Sequence, residues 1–321
     1  MPKVSVIVPV YGVEKYIERC ARSLFEQTLE DVEYLFIDDC TPDCSVKVLK
    51  GVLDDYPHRK NQVIIHRMLQ NSGQAAVRKW GIQNATGEYV IHCDSDDWVD
   101  TTIYQKLYDK AILENSDIVV CGFNETDGYN ILKSSIHCFD TKEECISNML
   151  CMKDTWAVWN KLCKRDLCKT LLFPEYNMGE DMYMTFQLVL KAQKISIVKE
   201  FLYNYYYNRE SITKVQTEEK RYNNWRQSVS NAQSVFELLQ KRNLSYRLTD
   251  DIEFQKYKQK KLAGNLAYNR RFAKEWFLTF KSTHSTFFRI KRLSLIERIK
   301  YSIVILLSWI KSDAYKSFFK I

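Results

Sequence analysis

EYVIHCDSDDW, residues 88–98, runs a short apolar segment straight into three acids and a tryptophan. Its first half reads as a buried strand, which leaves the acids just beyond the strand's carboxyl end. The same arrangement recurs upstream. KVSVIVPV at 3–10 predicts a strand ended by Tyr11-Gly12, and residues 14–27 space Ile17, Cys20, Ala21, Leu24 and Phe25 for a helix. EYLFID at 33–38 predicts a second strand, 45–54 a helix, 63–66 a third strand and 73–84 a helix, before residues 88–93 supply the fourth strand. Strands alternating with helices predict right-handed βαβ units and an α/β fold, a Rossmann-like, mainly parallel sheet flanked by helices. Ligands of such sheets bind beyond the carboxyl ends of the strands. Polar residues gather there: Tyr11 and Glu14 after the first strand, Asp38 and Asp39 after the second, and Asp94, Asp96 and Asp97 after the fourth.

Past Asp100 the pattern predicts a helix over 102–114, a strand over 117–122 and a less regular stretch holding Trp156, Trp159, Asn160 and Lys161. A helix from about Glu180 and a strand near 195–198 follow, and from about Thr217 the pattern is helical. The expected division is a catalytic domain over 1–215 and a helical C-terminal region over 216–321. With 321 residues, 45% of them hydrophobic, the chain can bury a large core. Its nine glycines and five prolines form no cluster, so no flexible linker is expected. Ten cysteines occur without a CxxC pair, and Lys3 interrupts an apolar start that reads as a strand, so the expectation is reduced thiols, no secretory signal and a cytoplasmic location. The net charge of +7 sits late, in 256–274 and 289–320, with no finger, helix-turn-helix or stacking platform beside it; nucleic acid is not an expected partner.

Asp94 and Asp96 stand one residue apart at a strand end and can share Mg²⁺ or Mn²⁺, with diphosphate oxygens completing the coordination. The cluster taken alone also fits a solvated turn that caps the next helix. Asp38-Asp39-Cys40-Thr41-Pro42-Asp43 is a second acidic loop, suited to a nucleobase N–H or a ribose hydroxyl, and equally an ordinary turn.

Pro9-Val10-Tyr11, Asp38-Asp39, Asn71-Ser72-Gly73 with Arg78 and Gly81, and Asp94-Ser95-Asp96-Asp97-Trp98 occur in an order and spacing that closely resemble family 2 inverting glycosyltransferases of the GT-A fold. The likeness covers roughly the first 210 residues. It implies an enzyme that moves a sugar from a nucleotide-diphosphate donor, UDP by family frequency, to a hydroxyl of a glycan or lipid-linked glycan in surface polysaccharide or capsule assembly, with Mn²⁺ or Mg²⁺ as cofactor. Carried over by residue, it places Tyr11 and Glu14 against the base and ribose, Asp39 on the base with Asp38 close by, and Arg78 near the nucleotide. Pro9 and Ser95 belong to the same donor set; Asp94 reaches the ribose or sugar as well as the metal, and Asp96 ligates the metal. Gly179-Glu180-Asp181 looks like the family's ED motif, which makes Asp181 the general base and puts Glu180 on the acceptor side. Trp159-Asn160-Lys161 resembles a WNK-type stretch, with Trp156 or Trp159 a candidate to stack on the acceptor and a core role equally open. YNYYYNRESIT at 203–213 resembles a loop that closes over the diphosphate through Arg209 and Ser211. Departures from the family pattern are Gly12 in place of Asn, Cys40 in place of Gly and Lys79 in place of Asn. The alternative is a non-catalytic nucleotide-sugar binding protein, and the intact Asp181 counts against it.

Residues 287–321 interleave basic and aliphatic side chains, but the longest uninterrupted apolar run, 303–307, is far below the roughly 20 residues that span a bilayer. Two readings follow. The segment is a basic amphipathic helix lying peripherally on the inner face of an anionic membrane, or a helix that packs its apolar face on the catalytic domain.

Overall fold

A computed structural model describes residues 1–207 and 217–312. They divide into two compact units, Met1–Cys145 with Trp156–Arg209, and Ile146–Thr155 with Glu210–Ile321. Strands β1 (Val4–Val10), β2 (Val32–Asp38), β3 (Val63–Arg67), β4 (Tyr89–His92), β5 (Trp98–Val99), β6 (Ile118–Thr126), β7 (Ile131–Ser135), β8 (Lys161–Lys164) and β9 (Ile195–Tyr206) form one sheet in the first unit. The helices up to residue 191 are α1 (Ile17–Phe25), α2 (Ser45–Asp54), α3 (Gln74–Asn84), α4 (Ile103–Glu114), α5 (Lys142–Leu150), α6 (Arg165–Lys169) and α7 (Glu180–Lys191).

One half of the sheet, β3-β2-β1-β4, is parallel, with Val6 opposite Tyr34 on one side and Ile91 on the other. All of β2 and β4, and β1 apart from Pro9, is buried, which is why these strands are mostly apolar, with Ser5, Glu33, Asp38 and His92 the polar exceptions, rather than alternating. Helix α1 covers them with the residues its spacing marked: Ile17, Cys20, Ala21, Leu24 and Phe25.

The other half is mixed. Strand β8 enters antiparallel between β4 and β6, β7 pairs antiparallel with β6, and β5 pairs antiparallel with β9 at the far edge. Strand β9 runs parallel to β6 well past the 195–198 expected for it, through register shifts around Gly122. Such bulges increase local bend, and this one carries Tyr203 and Tyr206 towards the end of β4.

The second unit contains α8 (Glu218–Lys241), α9 (Thr249–Leu262), α10 (Arg270–Leu278), α11 (Thr283–Thr286) and α12 (Leu295–Lys311) around Trp225, Tyr257, Phe272, Trp276, Phe287 and Tyr301. Buried among them is Lys260, whose ammonium donates to the carbonyls of Trp276 (2.7 Å) and Thr279 (2.6 Å), meets His284 Nε2 at 3.0 Å and lies 4.2 Å over the Trp276 ring. A cation at the carbonyl end of α10 is favoured by the helix dipole, although burial lowers the Lys260 pKa to about 7. Lys260→Met keeps the stem but leaves those carbonyls without a donor. It is expected to cost about 2–3 kcal/mol, read as a lower urea midpoint, and an unchanged midpoint shows that the carbonyls find other donors.

Candidate active site

The loops that follow β1 and β2 are laced together by side-chain caps. Thr41 Oγ1 accepts the Gly12 N–H (2.9 Å) and donates to Asp43 (2.7 Å), Asp43 accepts the Glu14 N–H (2.9 Å), and Glu14 accepts the Cys44 N–H (3.0 Å). Burial opposes the Asp43 charge, but hydrogen bonds from Ser45, Thr41 and the Glu14 backbone outweigh it and bring the pKa down to about 2. Asp38 accepts the Thr41 N–H (2.7 Å) and the Arg67 guanidinium (2.9 Å). Asp39 takes the backbone N–H groups of Ser72 (2.7 Å) and Gly73 (2.8 Å), tying the end of β2 to the start of α3. Cys40 holds a left-handed φ of +56°, a conformation that glycine adopts without strain, so the departure at this position is accommodated in the backbone. Tyr11 stands open at the rim of these loops, and Pro9 lies within β1 opposite Ile37.

Gly73 has φ +81°, and a Cβ there would meet the Asn177 side chain at 2.2 Å. Asn177 in turn accepts the Ala75 N–H at 3.0 Å, so the loop ahead of α7 closes on the first turn of α3 only because residue 73 has no side chain. This closure lets Arg78 on α3 reach two acids from distant parts of the chain. Its guanidinium pairs with Asp94 (2.8 Å) and with Glu180, while its Nε is buried without a hydrogen-bond partner among the described residues. Burial works against the Arg78 charge, yet Asp94, Glu180 and Asp181 together hold its pKa above the usual arginine value. Burial raises Glu180 to about 7 against the pull of Arg78. Asp181 is half-buried and accepts the Met182 N–H at 2.8 Å; burial raises its pKa too, with Arg78 opposing.

The acids after β4 occupy different settings. Asp97 is fully buried and accepts the Tyr203 hydroxyl (2.6 Å) and the Tyr206 N–H (2.7 Å), so it fastens the loop to β9. Burial, followed by Asp96 and Asp94, pushes its pKa well above the carboxylate range. Arg19 lies 3.6 Å over the Trp98 ring and donates to the Asp96 carbonyl at 2.9 Å. With its backbone held in this way, Asp96 is half-buried, and burial together with Asp94 raises its carboxyl to about 6. Ser95 is buried between them. Among the described residues no three His, Cys, Asp or Glu side chains form a metal cage.

Trp159 stacks on Tyr203 at 4.2 Å inside the core, whereas Trp156 is half-buried and accepts the Thr185 hydroxyl of α7 through its carbonyl (2.6 Å). Lys161 is buried, donating to the Ala157 carbonyl (2.7 Å) and Asn160 (2.9 Å). Arg209 and Ser211 lie outside the described residues. Arg19, Tyr203 and Tyr206 carry no signal in the sequence that ties them to the acidic loop; the aromatic run at 203–207 reads only as a strand or a covering loop.

Residues 5–169 match the family model "Glycosyl transferase family 2". The uncharacterized glycosyltransferase EpsJ of Bacillus subtilis (strain 168) is 33% identical over 226 residues, 67% of this chain and 64% of that protein. The chain spans less than two thirds of the length of the curated relatives it matches first. The crystal structure of S. aureus TarS 1–349 in complex with UDP superposes with a TM-score of 0.58 at 18% identity, covering 97% of this chain and 81% of that one. Mannosyltransferase PcManGT from Pyrobaculum calidifontis, in complex with GDP-Man and Mn²⁺, gives 0.58 at 13% identity over 97% of this chain and 86% of its own. At these identities the likeness is one of fold, the GT-A arrangement of a curled sheet flanked by helices. The strand-end acids, the sheet around them and the family match converge: the chain belongs to glycosyl transferase family 2.

Proposed function

We propose that the chain is an inverting glycosyltransferase that moves a sugar from a nucleotide-diphosphate donor, most simply UDP, to a hydroxyl of a glycan or lipid-linked glycan. Its place of action is the cytoplasmic face of the cell membrane, in bacterial surface polysaccharide assembly. The observation that carries this reading is the buried Arg78 bridge, which sets Asp94 of the strand-end cluster beside Glu180 and Asp181 at the start of α7. Donor-side and acceptor-side carboxylates thereby share one crevice. The UDP bound to TarS and the GDP-Man and Mn²⁺ bound to PcManGT, proteins of the same fold, support the donor class.

A divalent cation fits the residues present. Among the described residues the Asp96 carboxylate is bonded only by its own backbone N–H, and burial followed by Asp94 raises it to about 6, so a hard cation would relieve the charge that no neighbouring side chain fully offsets. Asp96 and Asp94 would hold Mn²⁺ or Mg²⁺ with diphosphate oxygens filling the other positions. When bound, the metal offsets charge on the departing diphosphate.

The chain's own residues do the remaining work. Tyr11, Pro9 and the Asp38-Asp39 loop form the rim for base and ribose, pre-set by the backbone contacts of the two aspartates. Asp181 takes the proton of the acceptor hydroxyl, whose oxygen attacks the anomeric carbon on the face opposite the diphosphate and so inverts its configuration. Arg78 orients Glu180 and opposes the burial that raises the Asp181 pKa. Trp156 lines the acceptor side, while Trp159 supports the site from within the core through Tyr203.

Asp181→Asn is expected to lower transfer by about a thousandfold, in the range of a lost general base, with UDP affinity in Mn²⁺ unchanged by calorimetry. In the wild type, transfer falls as pH drops through the raised Asp181 pKa, above the roughly 3.9 of an exposed aspartate. A variant that still transfers, or that keeps this acid limb, removes Asp181 from the mechanism.

Asp96→Ala is expected to abolish the strengthening of UDP binding by Mn²⁺ while leaving metal-free binding within about twofold, since one carboxylate of a two-carboxylate site is lost. Equal Mn²⁺ dependence in both proteins assigns the metal elsewhere.

A further inference from the structure

Helix α12 is turned inside out relative to an ordinary surface helix. Leu295, Ile296, Ile299, Ile303, Leu306 and Ile310 are 49–72% exposed, and at helical spacing they fall within about 100° of arc. The fully buried positions of the helix are instead Tyr301 and Ser308. From Leu295 to Ile310 the exposed row is about 22 Å long, and among the described residues of the second unit none covers it. A soluble chain rarely leaves so continuous an apolar patch without a use for it.

The surroundings of the row point to one occupant. Arg289 and Lys291 precede the helix, Lys300 and Lys311 flank the row, and all four are exposed. The acid of α12, Glu297, is neutralised by Lys261 at 3.0 Å. The border is therefore basic, which attracts anionic headgroups and would set like charges against each other if a second copy packed face to face. Beside the row, Leu306 joins Phe277, Phe287, Phe288, Ile305 and Trp309, with His284 and Ser302, in lining a mostly apolar cavity of about 370 Å³ among the described residues, wide enough for part of an aliphatic chain. Among the described residues no helix is long and apolar enough to cross a membrane. A helix of this kind lies in the interfacial plane.

We propose that α12 is a docking helix whose exposed row enters the interface of an anionic bilayer, with the adjoining cavity receiving one lipid chain. The inference rests on and deepens the reading of a lipid-linked acceptor above. It is measured without turnover, so loss of transfer and loss of docking are separate results.

The test is flotation of the full chain with vesicles of phosphatidylcholine alone or mixed with phosphatidylglycerol, with light scattering for mass in solution. The wild type is expected to float with the mixed vesicles, less so at high salt, and hardly at all with phosphatidylcholine. Ile299→Glu with Ile303→Glu, both at exposed positions, is expected to reduce the bound fraction at least about tenfold while the melting temperature stays put. Lys291→Glu with Lys300→Glu keeps the apolar row and is expected to lose the preference for phosphatidylglycerol. Flotation that survives the glutamates, or a wild type that ignores mixed vesicles, overturns the proposal. So does a wild-type dimer that the glutamates split into monomers, which makes the row a contact between copies of this chain.

Discussion

Arg78 is the constraint on which the first unit's site depends. A guanidinium taken fully out of water is costly, and leaving such a group unpaired costs several kcal/mol, roughly 3–5. Here it is matched by Asp94 and Glu180, which lie far from each other in the chain and approach only because Arg78 stands between them. Without that cation, nothing among the described residues would offset the charge of Asp94, which raises the pKa of both Glu180 and Asp181 in a poorly solvated crevice. The neighbouring features serve to deliver it. Asp39 pins the chain ahead of α3, and Gly73 leaves room for Asn177 to bring the start of α7 against it.

A second anchor keeps the acidic loop still. Asp97 has none of the exposure a ligand-binding carboxylate needs, and its two oxygens are consumed by Tyr203 and Tyr206 of β9. Tyr203 is backed by the stacked Trp159 ring and also meets the Asp94 N–H at 3.1 Å. Arg19 adds a third tie through Trp98 and the Asp96 carbonyl. The loop thus presents Asp94 and Asp96 from a backbone fastened at several points, the arrangement expected where two carboxylates must hold fixed positions despite mutual repulsion.

These contacts show why the sequence was legible in some places and silent in others. The alternation from residue 3 to residue 93 was readable because β1, β2 and β4 are buried on both faces and so announce themselves as apolar runs. Strands β5, β7 and β8 were not, since β5 has two residues, β7 is largely exposed and β8 carries a buried lysine. Within the site, Asp39, Asp94, Asp96 and Asp181 stood out as acids at strand ends or a helix start, positions defined by local sequence. Tyr203 and Arg19 act on Asp97 and Asp96 across long stretches of chain, and no local pattern encodes that meeting. Trp159 was left with two readings because a tryptophan beside a polar pair is equally at home in a core or against a sugar; its packing against Phe123 and Tyr203 places it in the core.

Helix α12 poses the same question in a sharper form. Amphipathic spacing says that a helix has an apolar face and nothing about which way it turns, so a membrane helix and a packed helix read alike. What sets the rotation is Tyr301. Its ring makes edge contacts with Tyr257 (4.9 Å) and Phe287 (5.0 Å), and its position on the helix is diametrically opposite the middle of the aliphatic row. The capping box of Ser294 and Glu297 fixes where the helix begins, and Lys261 holds Glu297 on the inner side. Tyr301, flanked by Val304 and Ile305 on the same inward side and fixed by a polar cap, has therefore taken the place that the other aliphatic side chains would have filled, which leaves the row outward as a consequence of packing already satisfied beneath it.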